Sequence, residues 1–162
     1  MQKFCADESI DSIISRYKST VYGIALARSI NPSEADDIFQ EVFLAYFKRS
    51  RRFEDEDHRK AWIIRTTVNQ CLKFHRAKRE IPSERLPERA FTFALPEENE
   101  LYSALHSIPF KYRIVLTLYY FDSLSCEEIA RALRITPGAV RMRLTRAREL
   151  MRERMKGDLF DE

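Results

Sequence analysis

Glycine and cysteine are scarce in this chain, and both shortages limit what the protein can be. Only three of the 162 residues are glycines, and they form no glycine-rich phosphate loop. The three cysteines are far apart, odd in number and without a C-x-x-C pair. This pattern argues against a zinc site or a disulfide framework and fits a reducing cytosol. Few glycines together with repeated helical periodicity predict an all-α fold.

Long apolar runs and clustered histidines are also absent. No stretch is long enough for a membrane span, and the early Asp7 and Glu8 do not fit a signal peptide, so we expect a cytoplasmic protein. The histidines are not spaced with carboxylates or cysteines as a metal or nucleophile site requires, so we expect no enzyme, metal or cofactor. The formal net charge is only +3, which makes any basic surface a local feature.

The C-terminal stretch from Ser125 to Arg148 has the pattern of a helix-turn-helix. Ser125 and Glu128 form a capping-box pair, which predicts a helix that begins directly after Ser125. Thr136 is a good N-cap, and Pro137 suits the first position of a second helix. Two short helices joined by a tight turn are therefore expected.

The second of these helices has an apolar side and a basic side. The apolar stripe, at helical spacing, consists of Val140, Leu144, Ala147 and Met151. The side chains expected to face outward are Arg141, Met142, Thr145, Arg146 and Arg148. In a helix-turn-helix the first turns of the second helix enter the major groove, so the pattern favours DNA binding. An arginine-rich helix that merely faces solvent is the alternative at this point.

A proline-bearing segment divides the chain. Residues 77–100 include Pro82, Pro87 and Pro96, carry mixed charges and have no sustained helical period. Prolines at this spacing stop helices and favour extended chain, and a loop of such length is unusual within one compact domain. We therefore predict two small helical domains, residues 1–77 and 99–162, joined by a flexible linker at 78–98.

The first predicted domain contains an amphipathic helix with a narrow polar strip. The helix follows Asn31 and Pro32, with Ser33 as the expected cap and acidic residues in its first turn. Its broad apolar arc consists of Ile38, Phe39, Val42, Phe43, Ala45, Tyr46 and Phe47. The remaining strip consists of Asp37, Gln40, Glu41, Leu44 and Lys48. A leucine within a polar strip suggests a docking surface, and an ordinary amphipathic core helix is the alternative.

A basic helix is predicted from about Ala61, after a charged loop from Glu54 to Lys60. The residues assigned to its core side are Trp62, Ile63, Thr66 and Cys71. The other side is cationic or carries an amide: Arg65, Asn69, Lys73, Arg76, Lys78 and Arg79. Such a helix is suited to hold a nucleic-acid strand by its phosphates. We expect Trp62 to pack in the core and not to serve as a platform for a base.

Together these segments resemble the sigma factors of bacterial RNA polymerase. The resemblance is carried by EADDIFQEVF at residues 34–43, AWIIRTTVN at 61–69, the proline-bearing linker, and IPFKYRIVLTLYYFDSLSCEEIARALRITPGAVRMRLTRAR at 108–148. The class that it resembles is the short extracytoplasmic-function type, which keeps only the domains called regions 2 and 4. The match runs from about Ser9 to Arg154, with both halves in the family's order and spacing.

The resemblance implies roles for the first domain. In the family, the polar strip of region 2 docks on the clamp helices of the polymerase β′ subunit, which gives that role to Asp37, Gln40, Glu41 and Leu44. The residues that match the −10 promoter surface are Asp55, Glu56, Asp57, His58, Arg59, Lys60, Arg65, Asn69, Lys73 and Arg76. The loop would capture a flipped-out base, so that strand opening and recognition become one step. Lys73 departs from the family, which commonly has an aspartate there.

The resemblance also implies that the helix-turn-helix reads the −35 promoter element. The matching positions are Ser125, Pro137, Gly138, Arg141, Met142, Arg143, Thr145, Arg146 and Arg148. Among them Arg141, Met142 and Thr145 match base-reading positions. Arg143 and Arg146 are expected to hold phosphates, which set register without specifying sequence. Met142 replaces a small polar residue and offers only apolar contact, for example to a thymine methyl.

Further partners follow from the same resemblance. They are the β flap of core RNA polymerase, promoter DNA and an anti-sigma protein, since no sensory extension follows Glu162. The alternative function is a self-sufficient helix-turn-helix regulator whose N-terminal half dimerises or senses a ligand. Such a regulator should dimerise and bind duplex DNA tightly alone, whereas a sigma factor should need core polymerase.

Overall fold

The computed structural model describes residues 8–28, 31–49, 51–77 and 96–155, and every regular element within these ranges is helical. The elements are α1 (Ile10–Arg28), α2 (Pro32–Lys48), α3 (Glu56–Ala77), α4 (Pro96–Ser107), α5 (Phe110–Leu116), α6 (Cys126–Leu133) and α7 (Pro137–Arg154). A π-helical turn, Thr117–Phe121, extends α5. The predicted all-α class is confirmed. In the described ranges, no helix combines the length and apolar character that crossing a bilayer requires.

The start of α2 differs by two residues from the prediction. Asn31, and not Ser33, is the N-cap, because its side chain accepts a hydrogen bond from the backbone N–H of Ser33 at 3.0 Å. Pro32 then occupies the first turn, where its missing N–H is not needed. The predicted linker also ends earlier than position 98, because α4 begins at Pro96. Residues 78–95 of that linker lie outside the described ranges.

The start of α3 lies at Glu56, so the predicted loop from Glu54 to Lys60 is mostly helical. The cause is local, because Asp55 Oδ1 accepts the backbone N–H of His58 at 2.7 Å. A carboxylate in this position satisfies a donor that the first helical turn leaves unpaired. The irregular segment between α2 and α3 is therefore shorter than the sequence indicated.

The first three helices pack into a bundle with an aliphatic centre. Val21 and Ile24 of α1, Val42 of α2, and Ile63 and Cys71 of α3 are all fully buried. Each such aliphatic side chain contributes about 1.5–3 kcal/mol of transfer free energy on burial. In α3 the assignment of Thr66 to the core was off by one residue.

The residue that is buried at this point is Thr67. Its hydroxyl donates to the carbonyl of Ile63 at 2.7 Å, so its polar atom is satisfied inside the core. Thr66 is only half-buried.

The two predicted domains share one hydrophobic core, in which α1 packs on α5 and α3 packs on α6. Arg113 of α5 connects them, because its buried guanidinium donates to the carbonyls of Ala27, Leu105 and Ile108 at 2.5, 3.0 and 2.7 Å. These carbonyls lie near the ends of α1 and α4, where the helix dipole favours a cation. The sequence predicted two tethered domains and did not predict this contact between them.

Candidate nucleic-acid interface

The helix-turn-helix is built as the sequence predicted. Ser125 Oγ accepts the backbone N–H of Glu128 at 3.1 Å, and Glu128 Oε1 accepts the N–H of Ser125 at 3.3 Å, so the capping box is confirmed. Arg134 ends α6 in the left-handed conformation with φ 57° and ψ 44°. Thr136 Oγ1 accepts the N–H of Ala139 at 3.1 Å and Pro137 opens α7, which confirms the predicted cap.

The predicted inward stripe of α7 is largely confirmed, since Val140, Leu144 and Ala147 are buried while Met151 is half-buried. The opposite face leaves Arg141, Met142, Thr145, Arg146 and Arg148 exposed. Met142 is 75% exposed, so the fold itself does not use this side chain. The three residues that were assigned to base reading thus share one free face of α7. Arg143 is only half-exposed and lies beside that face.

Some of these arginines already have intramolecular partners. Arg146 forms a solvent-exposed ion pair with Glu149 at 3.2 Å, which is worth at most about 1 kcal/mol and is easily exchanged for a phosphate. Arg148 donates from Nε to Tyr120 Oη at 2.9 Å, and its guanidinium lies over the rings of Tyr119 and Tyr120. The two tyrosines were not predicted to belong to this surface. The adjacent aromatic pair in the run LYYF was the available signal.

The predicted docking strip on α2 faces solvent. Asp37, Gln40 and Glu41 are exposed, and Leu44 is 49% exposed. Phe47 is a correction, because it was assigned to the core-facing arc and is 42% exposed. It comes three positions after Leu44, so it lies on the same side of the helix. The strip therefore carries two carboxylates in its first half and two apolar side chains in its second half, before the exposed Lys48.

The short segment before α3 is fixed by its own side chains. Glu54 donates its backbone N–H to His58 Nδ1 at 3.1 Å, and His58 in turn donates its backbone N–H to Asp55. The His58 ring also meets Phe53 edge to face. Glu54, Asp55 and Asp57 remain exposed, so the segment presents carboxylates to the solvent.

Two residues assigned to the −10 surface, Glu56 and Arg59, belong to one ion cluster, in which Arg59 is buried and Glu56 is partly exposed. Arg59 is only 2% exposed, and its Nη1 is 2.9 Å from Glu56 Oε2 and 3.9 Å from Glu8 Oε1. Glu56 also accepts from Arg16 at 3.0 Å and from the hydroxyl of Tyr17. Burial, and next the hydrogen bond to Glu56, raise the pKa of Tyr17. The structure does not bring Arg59 to a DNA-accessible surface, because its charge is neutralised inside the bundle.

Two other residues of the predicted −10 surface contact the helix-turn-helix. Arg65 donates from Nε to the carbonyl of Ala132 and from Nη2 to that of Arg131, both at 3.2 Å. It thereby caps the C-terminal end of α6, where carbonyls lack helical partners. Lys60 Nζ lies 3.6 Å from Glu128 Oε2. Burial, and next the neighbouring arginines of α6, lower the pKa of Arg65.

The last part of α3 is open. Asn69 and Lys73 are exposed, and Leu72 between them is 41% exposed. Arg76 lies in the last turn of α3, but its side chain falls outside what the structure describes. The structure thus places Asn69 and Lys73 on one accessible stripe of α3, and it holds Lys60 and Arg65 against α6 of the helix-turn-helix.

The part of the chain that the structure describes contains no group of His, Cys, Asp and Glu side chains that could hold a metal ion.

Comparison with known proteins gives consistent matches over both halves. Residues 13–81 match the family description "Sigma-70 region 2", and residues 98–151 match "Sigma-70, region 4". The RNA polymerase sigma factor SigZ of Bacillus subtilis is 31% identical over 133 residues, which cover 77% of this chain and 74% of SigZ. The ECF RNA polymerase sigma factor SigW of the same species is 27% identical, with 92% of this chain and 90% of SigW covered.

Another relative is longer than this chain. The ECF RNA polymerase sigma factor SigE of Mycolicibacterium smegmatis is 29% identical over 157 residues, which cover 90% of this chain but only 61% of SigE. Among solved structures, the sigma factor RpoE of Bartonella quintana, in complex with the anti-sigma factor NepR, superposes with a TM-score of 0.73. It covers 91% of this chain and 97% of RpoE at 18% identity. CnrH, in complex with the cytosolic domain of CnrY, gives 0.66 at 22% identity, covering 92% of this chain and 88% of CnrH. At such identities the likeness shows the fold alone.

Proposed function

The chain belongs to the extracytoplasmic-function type of bacterial RNA polymerase sigma factors, and we propose which of its surfaces carry out polymerase-dependent promoter recognition. The observation that carries the proposal is the free face of α7. Arg141, Met142 and Thr145 are exposed there on a helix that is capped at its start and buried on its other side. In the proposed function, the protein is a transcription initiation factor that works in the cytoplasm and performs no catalysis of its own.

The proposed polymerase-docking surface is the α2 strip. Asp37 and Glu41 supply charge, Gln40 supplies an amide, and Leu44 with Phe47 supplies an apolar end. A partly charged, partly apolar strip suits a helical partner that offers basic side chains beside an apolar stripe. The β′ clamp helices are the expected partner, and the second half of the chain is expected to meet the β flap.

The proposed −10 surface is smaller than the sequence indicated. Asp55, Asp57 and His58 remain near the loop, and Asn69 and Lys73 continue the accessible stripe along α3. Lys60 and Arg65 join this surface once the contacts that they make with α6 are released. Glu56 and Arg59 pair with each other at the start of α3 and are left out of the proposed contacts.

The proposed −35 surface divides into reading and holding residues. Arg141, Met142 and Thr145 face the major groove, where base edges carry a distinct pattern of donors, acceptors and methyl groups. The residues that flank them hold or approach phosphates: Ser125, Pro137, Gly138, Arg143, Arg146 and Arg148. An anti-sigma protein is a further proposed partner, supported by the structural neighbour RpoE of Bartonella quintana, which was solved in complex with the anti-sigma factor NepR.

A charge-reversal variant of the docking strip tests the proposal. Asp37→Arg combined with Gln40→Ala changes two exposed side chains, so the fold should persist while binding to core polymerase weakens by roughly tenfold or more. Asp11→Arg, which reverses an exposed carboxylate of α1, is the matched control and should bind normally. Affinity for purified core polymerase and run-off transcription are the measurements. If the double variant binds core polymerase with wild-type affinity, the docking assignment is wrong.

The same assay separates the sigma factor from the self-sufficient regulator. The matches to both regions in one chain favour the sigma factor. Transcription that depends on core polymerase, with weak binding of the isolated protein to duplex promoter DNA, is the expected result. Tight binding by a dimer in the absence of polymerase would favour the regulator.

A further inference from the structure

Arg49 is the C-cap of α2 and stands at the start of the segment that leads to α3. Its backbone N–H caps the helix by donating to the carbonyl of Tyr46 at 3.3 Å. The guanidinium carbon lies 4.2 Å from the ring centroid of Phe53 and 5.2 Å from that of Trp62. Nε donates to the carbonyl of Arg51 at 3.1 Å. The side chain is therefore held by two ring faces and by a hydrogen bond.

The rings that support this guanidinium pack against one another. Phe53 is 9% exposed and lies parallel to Tyr46, with ring centroids 5.8 Å apart and an interplanar angle of 16°. Trp62 meets Phe53 at 5.7 Å and 65°. An aromatic cluster of this kind restricts the rotamers of Arg49 before any ligand binds. Less conformational entropy is then lost when the arginine makes a contact.

The terminal nitrogens of Arg49 are available for an outside ligand. Within the described ranges, Nη1 and Nη2 have no hydrogen-bond partner, and the residue is partly exposed. The two nitrogens form a planar fork that matches two adjacent acceptors, such as O6 and N7 of guanine. Arginine planes also stack on unpaired bases in single-stranded nucleic acid.

The charges nearby favour a base over a phosphate as the ligand. Glu54, Asp55 and Asp57 are exposed on the segment that follows Phe53, and carboxylates repel a phosphate while accepting from base amino groups. Arg51 and Arg52, which directly precede Phe53 in the chain, are exposed and could hold the strand by its backbone. Base reading by Arg49 and backbone holding by its neighbours are then separate tasks.

We propose that Arg49 is a further specificity-determining residue, which contacts the acceptor edge of one unpaired base of the −10 promoter strand. The inference rests on the proposed −10 role of the loop and the start of α3. It adds a residue outside the ten positions that the family resemblance assigned. It also gives Trp62 a second function, since this partly buried ring supports the reading arginine as well as packing on the core.

The test is transcription by core polymerase with the full-length protein on a promoter library randomised over the −10 element. Arg49→Lys keeps the charge but removes the planar fork, and Arg49→Met keeps an apolar contact on Phe53 without the charge. Both should lower the preference at one −10 position by roughly 5- to 150-fold, as expected for loss of a bidentate contact of about 1–3 kcal/mol. Preferences at the other positions should persist. Arg154→Lys makes the same change at an exposed arginine outside the proposed contacts and should leave the profile unaltered.

Three outcomes overturn the inference. An equal loss on every −10 sequence marks Arg49 as a phosphate contact, and an unchanged profile shows no base contact. A loss that follows a lowered thermal midpoint or weaker binding to core polymerase in both variants shows a structural role. Failure of the proposed −10 function looks different, because the wild-type protein would then show no −10 preference in this assay.

Discussion

Met142 exposes more of its surface than any other large apolar side chain in the described ranges. It stands beside Arg141 on the free face of α7, where burial in the protein core is not available to it. An apolar group at this point gains free energy only when a partner covers it, at about 25 cal/mol per Å² of apolar surface removed from water. The C5-methyl of thymine is such a partner, and Arg141 then supplies the polar part of the recognition.

We expect Arg141→Ala to relax the −35 preference and to cost about 1–3 kcal/mol on the preferred sequence, the range for a bidentate base contact. Transcription from promoters that carry every single substitution in the −35 element measures the preference. Arg154→Ala, at the exposed end of the same helix, is the control and should not change the profile. Equal loss on all sequences would identify a phosphate contact.

The two described glycines permit a matched comparison. A Cβ on Gly23 would meet no heavy atom within 4 Å, and one on Gly138 would meet only Thr136 Oγ1 at 3.9 Å. Both positions are helical, so alanine should stabilise the fold by up to about 1 kcal/mol at either site. Only Gly138→Ala should also weaken −35 binding, because its new methyl group would project where the DNA backbone is expected to approach. Urea unfolding and DNA binding by the polymerase complex check the two effects, and unchanged binding by Gly138→Ala would exclude a close approach there.

At the scale of the element, the start of α6 depends on one reciprocal pair of hydrogen bonds. Ser125→Ala removes the acceptor for the N–H of Glu128 and should lower the free energy of unfolding by about 1 kcal/mol. Thr136→Ala removes the corresponding acceptor at the start of α7 and should cost a similar amount. Urea midpoints at constant m-value measure both effects. A loss well below 0.5 kcal/mol at both sites would show that tertiary packing, and not capping, fixes these helix ends.

The same pair shows why some elements were predictable and others were not. The caps of α6 and α7 involve residues three positions apart, so a short stretch of sequence contains the whole interaction. The start of α3 was misplaced because Asp55 competes as a cap within a run of charged residues that resembles a loop. Phe47 was misassigned because helical spacing alone does not show where an apolar arc ends.

The packing of the two halves was not predictable, because it joins residues far apart in the chain. Arg113 lies between apolar neighbours in the sequence, which gives no sign that its partners include the carbonyl of Ala27. The candidate binding surfaces show the same limit of sequence pattern. Residues on the free faces of α2 and α7 were found from periodicity, whereas the positions of Arg59 and Arg65 depend on neighbours that periodicity does not reveal.

For the whole molecule, His106 makes stability depend on pH at the junction of the two halves. Burial, and next the charge of Arg113, lower the pKa of His106 to about 4, so the ring is neutral in the folded protein at pH 6. The unfolded chain binds a proton near pH 6.5. The unfolded state therefore holds more protons between these values, and the free energy of unfolding falls as the pH drops from about 6.5 to about 4.

We expect this loss to stay below about 3 kcal/mol, because solvent screens the charge on the partly exposed ring. His106→Gln removes the titrating group and should flatten this part of the stability curve. The measurement is the difference between the unfolding free energies of the wild-type protein and the variant across pH 4 to 7. The carboxylates titrate equally in the two proteins, so their contribution cancels. A constant difference over that range would show that His106 does not contribute.

The hydrogen bonds from Arg65 to the end of α6 have a consequence for binding equilibria. The Nε–Nη2 edge of Arg65 cannot donate to the carbonyls of Arg131 and Ala132 and to a promoter strand at the same time. A strand that binds through this edge is bound only by the molecules in which α6 has separated from α3, and its apparent dissociation constant is the intrinsic one divided by the fraction of such molecules. Each tenfold decrease in this population costs about 1.4 kcal/mol of apparent affinity. A partner that holds the two halves apart removes this cost without touching the DNA.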